Sequence, residues 1–164
     1  MTLIEVINLI DWIAQNQPNV NGIVKTGDIY DLNKEEFNQK YAAFCATQNT
    51  HSVNEDFTIF SFTLFYVDRL TLDKSNKIEI QSTAVEFFAN LIKTIMQKFP
   101  SLDWTNGDIT TFTEKFSAEC AGAYMTCNIT TPNRSLCAII KQELGEFAPL
   151  EYSDDWFKYV EKYI

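Results

Sequence analysis

The single histidine, His51, and the four cysteines, Cys45, Cys120, Cys127 and Cys137, are the residues with which this 164-residue chain could do nucleophilic chemistry. A thiol enzyme needs a cysteine beside a histidine and a carboxylate, and His51 with Asp56 offers the last two. The cysteines' neighbours argue the other way. Cys45 sits beside Phe44 and Ala46, Cys127 alternates with Met125 and Ile129, and Cys137 lies between Leu136 and Ala138, and such apolar or small-residue settings disfavour the thiolate. No two cysteines stand in a C-x-x-C frame, so with one histidine a zinc site lacks a ligand set. They read as buried free thiols of a reducing cytosol. Paired acids are the second candidate chemistry: Asp28 with Asp31, Glu143 with Glu146, and Asp154 with Asp155. Hydrolases and metal sites use such pairs, but a chain with 22 acidic residues produces them readily on solvated faces. None of the five glycines falls in a phosphate-cradling frame. The expectation is a protein with no catalytic residue, metal or cofactor.

The elements that would position these residues are organised around the run from Asp56 to Phe99. Phe57 to Leu70 is dense in aromatic and β-branched residues and reads as one long strand. Its even positions, Phe60, Phe62, Leu64 and Tyr66, form the face expected to point into the core, while Ser61 and Thr63 make the middle of the other face polar. At roughly 3.3 Å per residue this strand is longer than one small layer requires, so part of it is expected to reach a neighbour. After the polar turn Asp73 to Asn76 the period switches to helical, with Ile80, Ala84, Phe87, Phe88, Leu91, Ile92, Ile95 and Phe99 on one stripe, stopped by Pro100.

Thr2 to Ala14 forms an amphipathic helix by its stripe of Leu3, Val6, Ile7, Ile10 and Ile13, opened by Thr2 and Glu5 at capping-box spacing. Ile23 to Ile29 suggests a short edge strand, and Tyr41 to Thr50 a strand that the polar link Asn49 to Glu55 returns into the long one as an antiparallel hairpin. Ser101 to Asp108 reads as a loop. Two strands follow, Thr110 to Glu119 and Cys120 to Thr131, the second alternating cleanly from Ala121 to Ile129. Ser135 to Leu144 suits a short helix. The fold class is therefore α+β: a mostly antiparallel sheet with a long hairpin, packed against an N-terminal and a long central helix.

A formal charge of −9 argues against a surface that grips nucleic acid through its phosphates. The first residues lack a basic region and carry Glu5, Asn8 and Asp11 among their apolar positions, so neither a signal peptide nor a membrane contact is expected.

Phe65 to Leu70, the turn Asp73 to Asn76 and Ile78 to Thr83 together resemble the strand–turn–helix junction of small head-to-tail connector proteins of Bacteroidetes phages, crAss-like phages included. The element order is similar to that of the phage tail terminator, or tail completion, family. The resemblance covers most of Met1 to Pro132; residues 1–134 are expected as one domain of that type, and residues 135–164 as a C-terminal extension with a short helix and an acidic-aromatic docking tail. It implies a virion protein: a homo-oligomeric ring, hexamer or dodecamer, in the neck or tail, with the portal-connector and tail proteins as partners and DNA passing through the lumen unbound. No catalytic residue transfers. The expected oligomer interface comprises Tyr66, Asp68 and Arg69 at the end of the long strand and Trp156, Phe157 and Tyr159 in the tail. Asp68 and Arg69 also admit a plainer reading, a charge pair closing the strand. The alternative function is a small intracellular acidic binding module, an immunity-like inhibitor or a ligand carrier.

Overall fold

The computed structural model describes residues 1–24, 41–113 and 119–132. Among these are two helices and seven strands, in the order α1 (Leu3–Gln15), β1 (Gly22–Val24), β2 (Ala43–Gln48), β3 (Ser52–Val53), β4 (Phe57–Arg69), α2 (Lys77–Lys98), β5 (Asp103–Asn106), β6 (Thr110–Thr113) and β7 (Cys120–Pro132). The fold is α+β, with a mixed, mostly antiparallel sheet ordered β1-β2-β4-β7-β5, while β3 pairs with β4 and β6 with β7.

The spine of the sheet is the antiparallel pair β4 and β7. Each strand has 13 residues, and they pair along their whole length, from Phe57 opposite Pro132 to Arg69 opposite Cys120. The length of β4 is thus matched inside the chain by β7. β7 can do this because its own alternation of apolar and polar residues is equally long. The β2–β4 hairpin is present, from Ala43 opposite Val67 to Gln48 opposite Phe62, but it covers only half of β4.

On each side of the spine the flanking strand is broken once. Beyond β2, the Asn49 N–H donates to the Ser61 carbonyl at 2.9 Å, and Ser52 then faces Ile59, so Thr50 and His51 stand opposite Phe60 alone. Beyond β5, the Gly107 N–H donates to the Thr126 carbonyl at 2.8 Å, and Thr110 then faces Tyr124, so Asp108 and Ile109 stand opposite Met125 alone. Both are bulges, which bend a strand and raise its twist. Strand β5, which pairs Asp103 to Asn106 with Thr130 to Cys127, replaces the loop expected over 101–108. The edge strand β1 is parallel to β2; the rest of the expected Ile23 to Ile29 strand lies outside the described residues.

Both helices cover one face of the sheet. The capping box forms as its spacing predicts: the Thr2 N–H donates to the Glu5 carboxylate at 2.6 Å, and the Glu5 N–H to Thr2 Oγ1 at 3.3 Å. Helix α1 buries Val6, Leu9, Ile10, Ile13 and Ala14, and α2 buries Ile80, Ala84, Phe87, Phe88, Leu91 and Ile95. Most of these join Phe60, Phe62, Leu64, Tyr66, Met125 and Ile129 in the main core, each large side chain contributing about 1.5–3 kcal/mol on burial. Trp12 and Phe99 meet edge to face at 6.5 Å and hold the two helices together. Leu70, Ile80 and Ala121 close the core where strand passes into helix. The opposite face of the sheet carries a second buried cluster, Val24, Ala43, Cys45, Phe65, Val67, Phe112 and Cys120, so β4 is buried on both faces from Leu64 to Val67.

Candidate assembly surface

The junction between β4 and α2 is built by one short network of polar side chains. Asn76 Nδ2 donates to the Arg69 carbonyl at 3.0 Å, and its Oδ1 accepts the Thr71 N–H at 2.9 Å. Asp73 Oδ1 accepts from Thr71 Oγ1 at 2.7 Å and from Ser75 Oγ at 2.9 Å. These bonds, the Thr71 hydroxyl first, hold the Asp73 carboxyl below its ordinary range. Lys74 takes the left-handed conformation, φ 55°, that the tight turn requires. Two apolar residues of this junction face solvent: Leu72 is 96% exposed and Ile78 is 71% exposed. Single exposed apolar residues are ordinary; here one stands on the turn and the other in the first turn of α2.

Of the residues expected at an interface, Tyr66 sits elsewhere. It is only 1% exposed, its ring lies 4.9 Å from Phe87, and its hydroxyl donates to the Asn19 carbonyl at 3.0 Å. Burial pushes its phenol well above the ordinary range. Tyr66 is therefore a core residue, because position 66 shares the inward face with Phe62 and Leu64. Asp68 is half-buried on that same face; its Oδ1 accepts the Arg69 N–H at 2.7 Å, and burial pushes its carboxyl up. Arg69 is exposed and points to the other face, its guanidinium carbon 5.3 Å from the Tyr41 ring centre. Successive strand residues face opposite ways, so the two side chains leave the strand on different faces. Trp156, Phe157 and Tyr159 lie outside the described residues.

The nucleophile candidates are likewise placed. Cys45, Cys120 and Cys127 are free and buried. Cys120 donates to the Tyr41 hydroxyl at 3.5 Å, and burial raises both groups; burial pushes the Cys127 thiol up to about 12. These shifts run opposite to those that activate a thiolate. His51 Nδ1 accepts the Ser61 N–H at 3.1 Å, and its ring packs against Phe60 and Phe62 at 5.6 and 5.7 Å. Its other nitrogen is buried without a hydrogen-bond partner, so the imidazole serves the β-bulge and is joined to no thiol. The described residues contain no group of three His, Cys, Asp or Glu that could hold a metal ion. The acid pairs Asp28 with Asp31, Glu143 with Glu146, and Asp154 with Asp155, and Cys137 with them, lie outside the described residues.

Two more exposed apolar residues, Val53 and Phe57, stand at the far end of β4, on opposite faces of the sheet, since Val53 pairs with Thr58. The three-residue turn between β3 and β4 is fixed by Asn54, whose Oδ1 accepts the N–H groups of Asp56 and Phe57 at 3.0 and 2.6 Å. Flanking it, Val53 is 73% and Phe57 is 45% exposed. No helix among the described residues is long and apolar enough to cross a membrane. No protein-family model matches the chain, and no curated protein matches it.

Proposed function

We propose that this chain is a structural subunit of a phage neck or tail ring of the tail-terminator type, joining the portal-connector to the tail while DNA passes through the lumen. The observation that carries this reading is the exposure of Leu72 on the braced turn and of Ile78 at the start of α2. That turn lies within the very segment, Phe65 to Thr83, whose sequence resembles the connector proteins. A turn held by the hydrogen bonds of Asn76 and Asp73 presents apolar groups at low ordering cost, which favours docking. Arg69, exposed beside it, adds a planar donor suited to a carboxylate on an adjoining subunit. The α+β order, helix, sheet and long central helix, supports the same family. The excess of acidic residues, where it faces a lumen, would repel DNA phosphates and let the genome pass without sticking.

The partners under this reading are other copies of the chain, as a hexamer or dodecamer, and the rings above and below. Light scattering on the purified protein, alone and with a portal-connector complex, tests it. A closed ring in either condition supports the proposal. A monomer that ignores the connector overturns it.

A further inference from the structure

Helix α2 carries two stripes of apolar and small residues, and the fold buries one of them. Ile80, Ala84, Phe87, Phe88, Leu91 and Ile95 enter the core, which is all that a helix covering one sheet face requires. Further round the helix, Ile78, Ser82, Val85, Ala89, Ile92 and Met96 follow one another at alternating steps of four and three. That is the a/d seam of a heptad repeat, the pattern by which one helix packs along another. Ile78, Val85 and Met96 are 71%, 40% and 68% exposed, Ser82 and Ala89 are exposed, and Ile92 is half-buried. Helix α1 does not cover this seam. It lies on the opposite flank of α2, where Gln17 Nε2 donates to Thr94 Oγ1 at 3.1 Å.

We infer that the seam is covered by α2 of a second copy of this chain, packed antiparallel about a two-fold axis. The seam is complementary to itself in that one arrangement. With the helix centres aligned, Ile78 faces Met96 of the second copy, Ser82 faces Ile92 and Val85 faces Ala89. Each small residue thus meets a β-branched one, so the helices approach closely and interdigitate. The charges along the solvent-side flank agree. Glu79, Glu86 and Lys93 each follow a large seam residue by one position, the place from which charges on paired helices select orientation. Antiparallel packing sets Glu79 opposite Lys93 of the second copy, twice by symmetry, against one like-charge meeting of Glu86 with its own copy at the axis. A parallel pair stacks Ser82 on Ser82 and Ala89 on Ala89, and sets no carboxylate opposite Lys93. The contact is two-fold and closes on itself, so it stands apart from the ring reading: alone it makes a dimer, and between rings it joins two of them.

The test is the mass of the full-length protein by light scattering across a concentration series, for wild type and for variants of exposed α2 residues. Wild type should double its mass with concentration, and Val85→Lys should raise the dissociation constant at least about tenfold while melting like wild type when dilute. Glu79→Lys and Lys93→Glu should each weaken the dimer, and the two together in one chain should restore it. These positions lie about 21 Å apart along the helix, so the rescue reports a contact between copies. Glu86→Gln should tighten the dimer. Wild type that is monomeric at every concentration overturns the inference, and so does a wild-type monomer whose binding to a portal-connector complex is lost in Val85→Lys, since the seam then belongs to a different helix. Failure of the Glu79 and Lys93 rescue overturns the antiparallel register. A ring whose mass is unchanged by Val85→Lys overturns the inference and leaves the ring reading standing, whereas a ring whose mass is halved supports both.

Discussion

Gly122 lies so close to Tyr66 that a Cβ at position 122 would occupy the space of the Tyr66 carbonyl, with the Phe112 ring 3.2 Å away. The spine of the sheet is therefore tightest where β4 and β7 cross beneath Phe112. Gly122→Ala must push the two long strands apart or displace Phe112. The expected loss is about 3 kcal/mol, at the upper end for overpacking, read as a lowered urea midpoint with unchanged slope.

Tyr66→Phe separates the core role of this residue from the interface role its position in the family-like segment suggests. The hydroxyl bond to the Asn19 carbonyl ties β4 to the turn after α1. Its loss should cost about 1 kcal/mol, seen in thermal melting. The assembly state should not change, because the side chain is already enclosed by its own chain.

Much of this architecture was legible because it is local. The stripe from Ile80 to Ile95 has helical period, and the alternation from Ala121 to Ile129 has strand period; both elements formed with the expected faces inward. Strand β5 was not legible: Asp103-Trp-Thr-Asn106 is short and polar, lies between Pro100 and Gly107, and becomes a strand only because β7 offers it an edge. The choice of β7 as the long strand's partner is a non-local pairing that no window of sequence contains. Phe65 and Val67 share the face that Ser61 and Thr63 mark as polar, yet that face holds a buried cluster of its own. Of the candidate surface, Ile78 was visible as an apolar residue standing off the helical stripe. Leu72 sat in a polar turn with no period to mark it, and Val53 and Phe57 gain their meaning from the bulge that sets β3 beside β4.

His51 makes that bulge. Because Nδ1 accepts the Ser61 N–H, the neutral imidazole must carry its proton on Nε2. Long-range nitrogen–proton correlation at neutral pH should show that tautomer. His51→Phe keeps the ring against Phe60 and Phe62 but removes the acceptor, and should destabilise by about 1 kcal/mol. Faster hydrogen exchange should be confined to Ser61 and its neighbours in β3 and β4.

Asp68 is the half-buried carboxylate of the junction, and its raised pKa, caused first by burial and opposed by the Arg69 N–H, fixes a sign. The folded state holds the proton at higher pH than the unfolded state does. Ionised Asp68 therefore weighs against folding at neutral pH, and that penalty is relieved as pH falls through the raised folded pKa. Asp68→Asn retains an oxygen for the Arg69 N–H without the charge. At pH 7 it should be as stable as wild type or more so, by no more than about 1 kcal/mol after solvent screening. Its advantage should shrink on acidification; an advantage that grew instead would reverse the assignment.

The alkaline limb of stability belongs to the buried thiol of Cys127. Burial raises this group from about 9 to about 12, so the neutral thiol is the form the core accepts. Its contribution is complete below pH 9, where folded and unfolded chains both keep the proton. Above that the unfolded chain loses its proton first, and stability falls by up to about 1.4 kcal/mol per pH unit until the folded group also titrates. Cys127→Ala leaves a small cavity and should be less stable than wild type at pH 8 by about 1 kcal/mol. It lacks the thiol's alkaline loss, so the gap between the two proteins should narrow from about pH 9, close near about pH 10 and reverse above that. Tyr41 and Tyr66, whose phenols burial also raises, titrate alike in both proteins and cancel in the difference. Urea midpoints at half-unit steps of pH, run in parallel under reducing conditions, give the difference directly. A constant gap across this range would place the Cys127 thiol in contact with water and contradict its position behind Phe62.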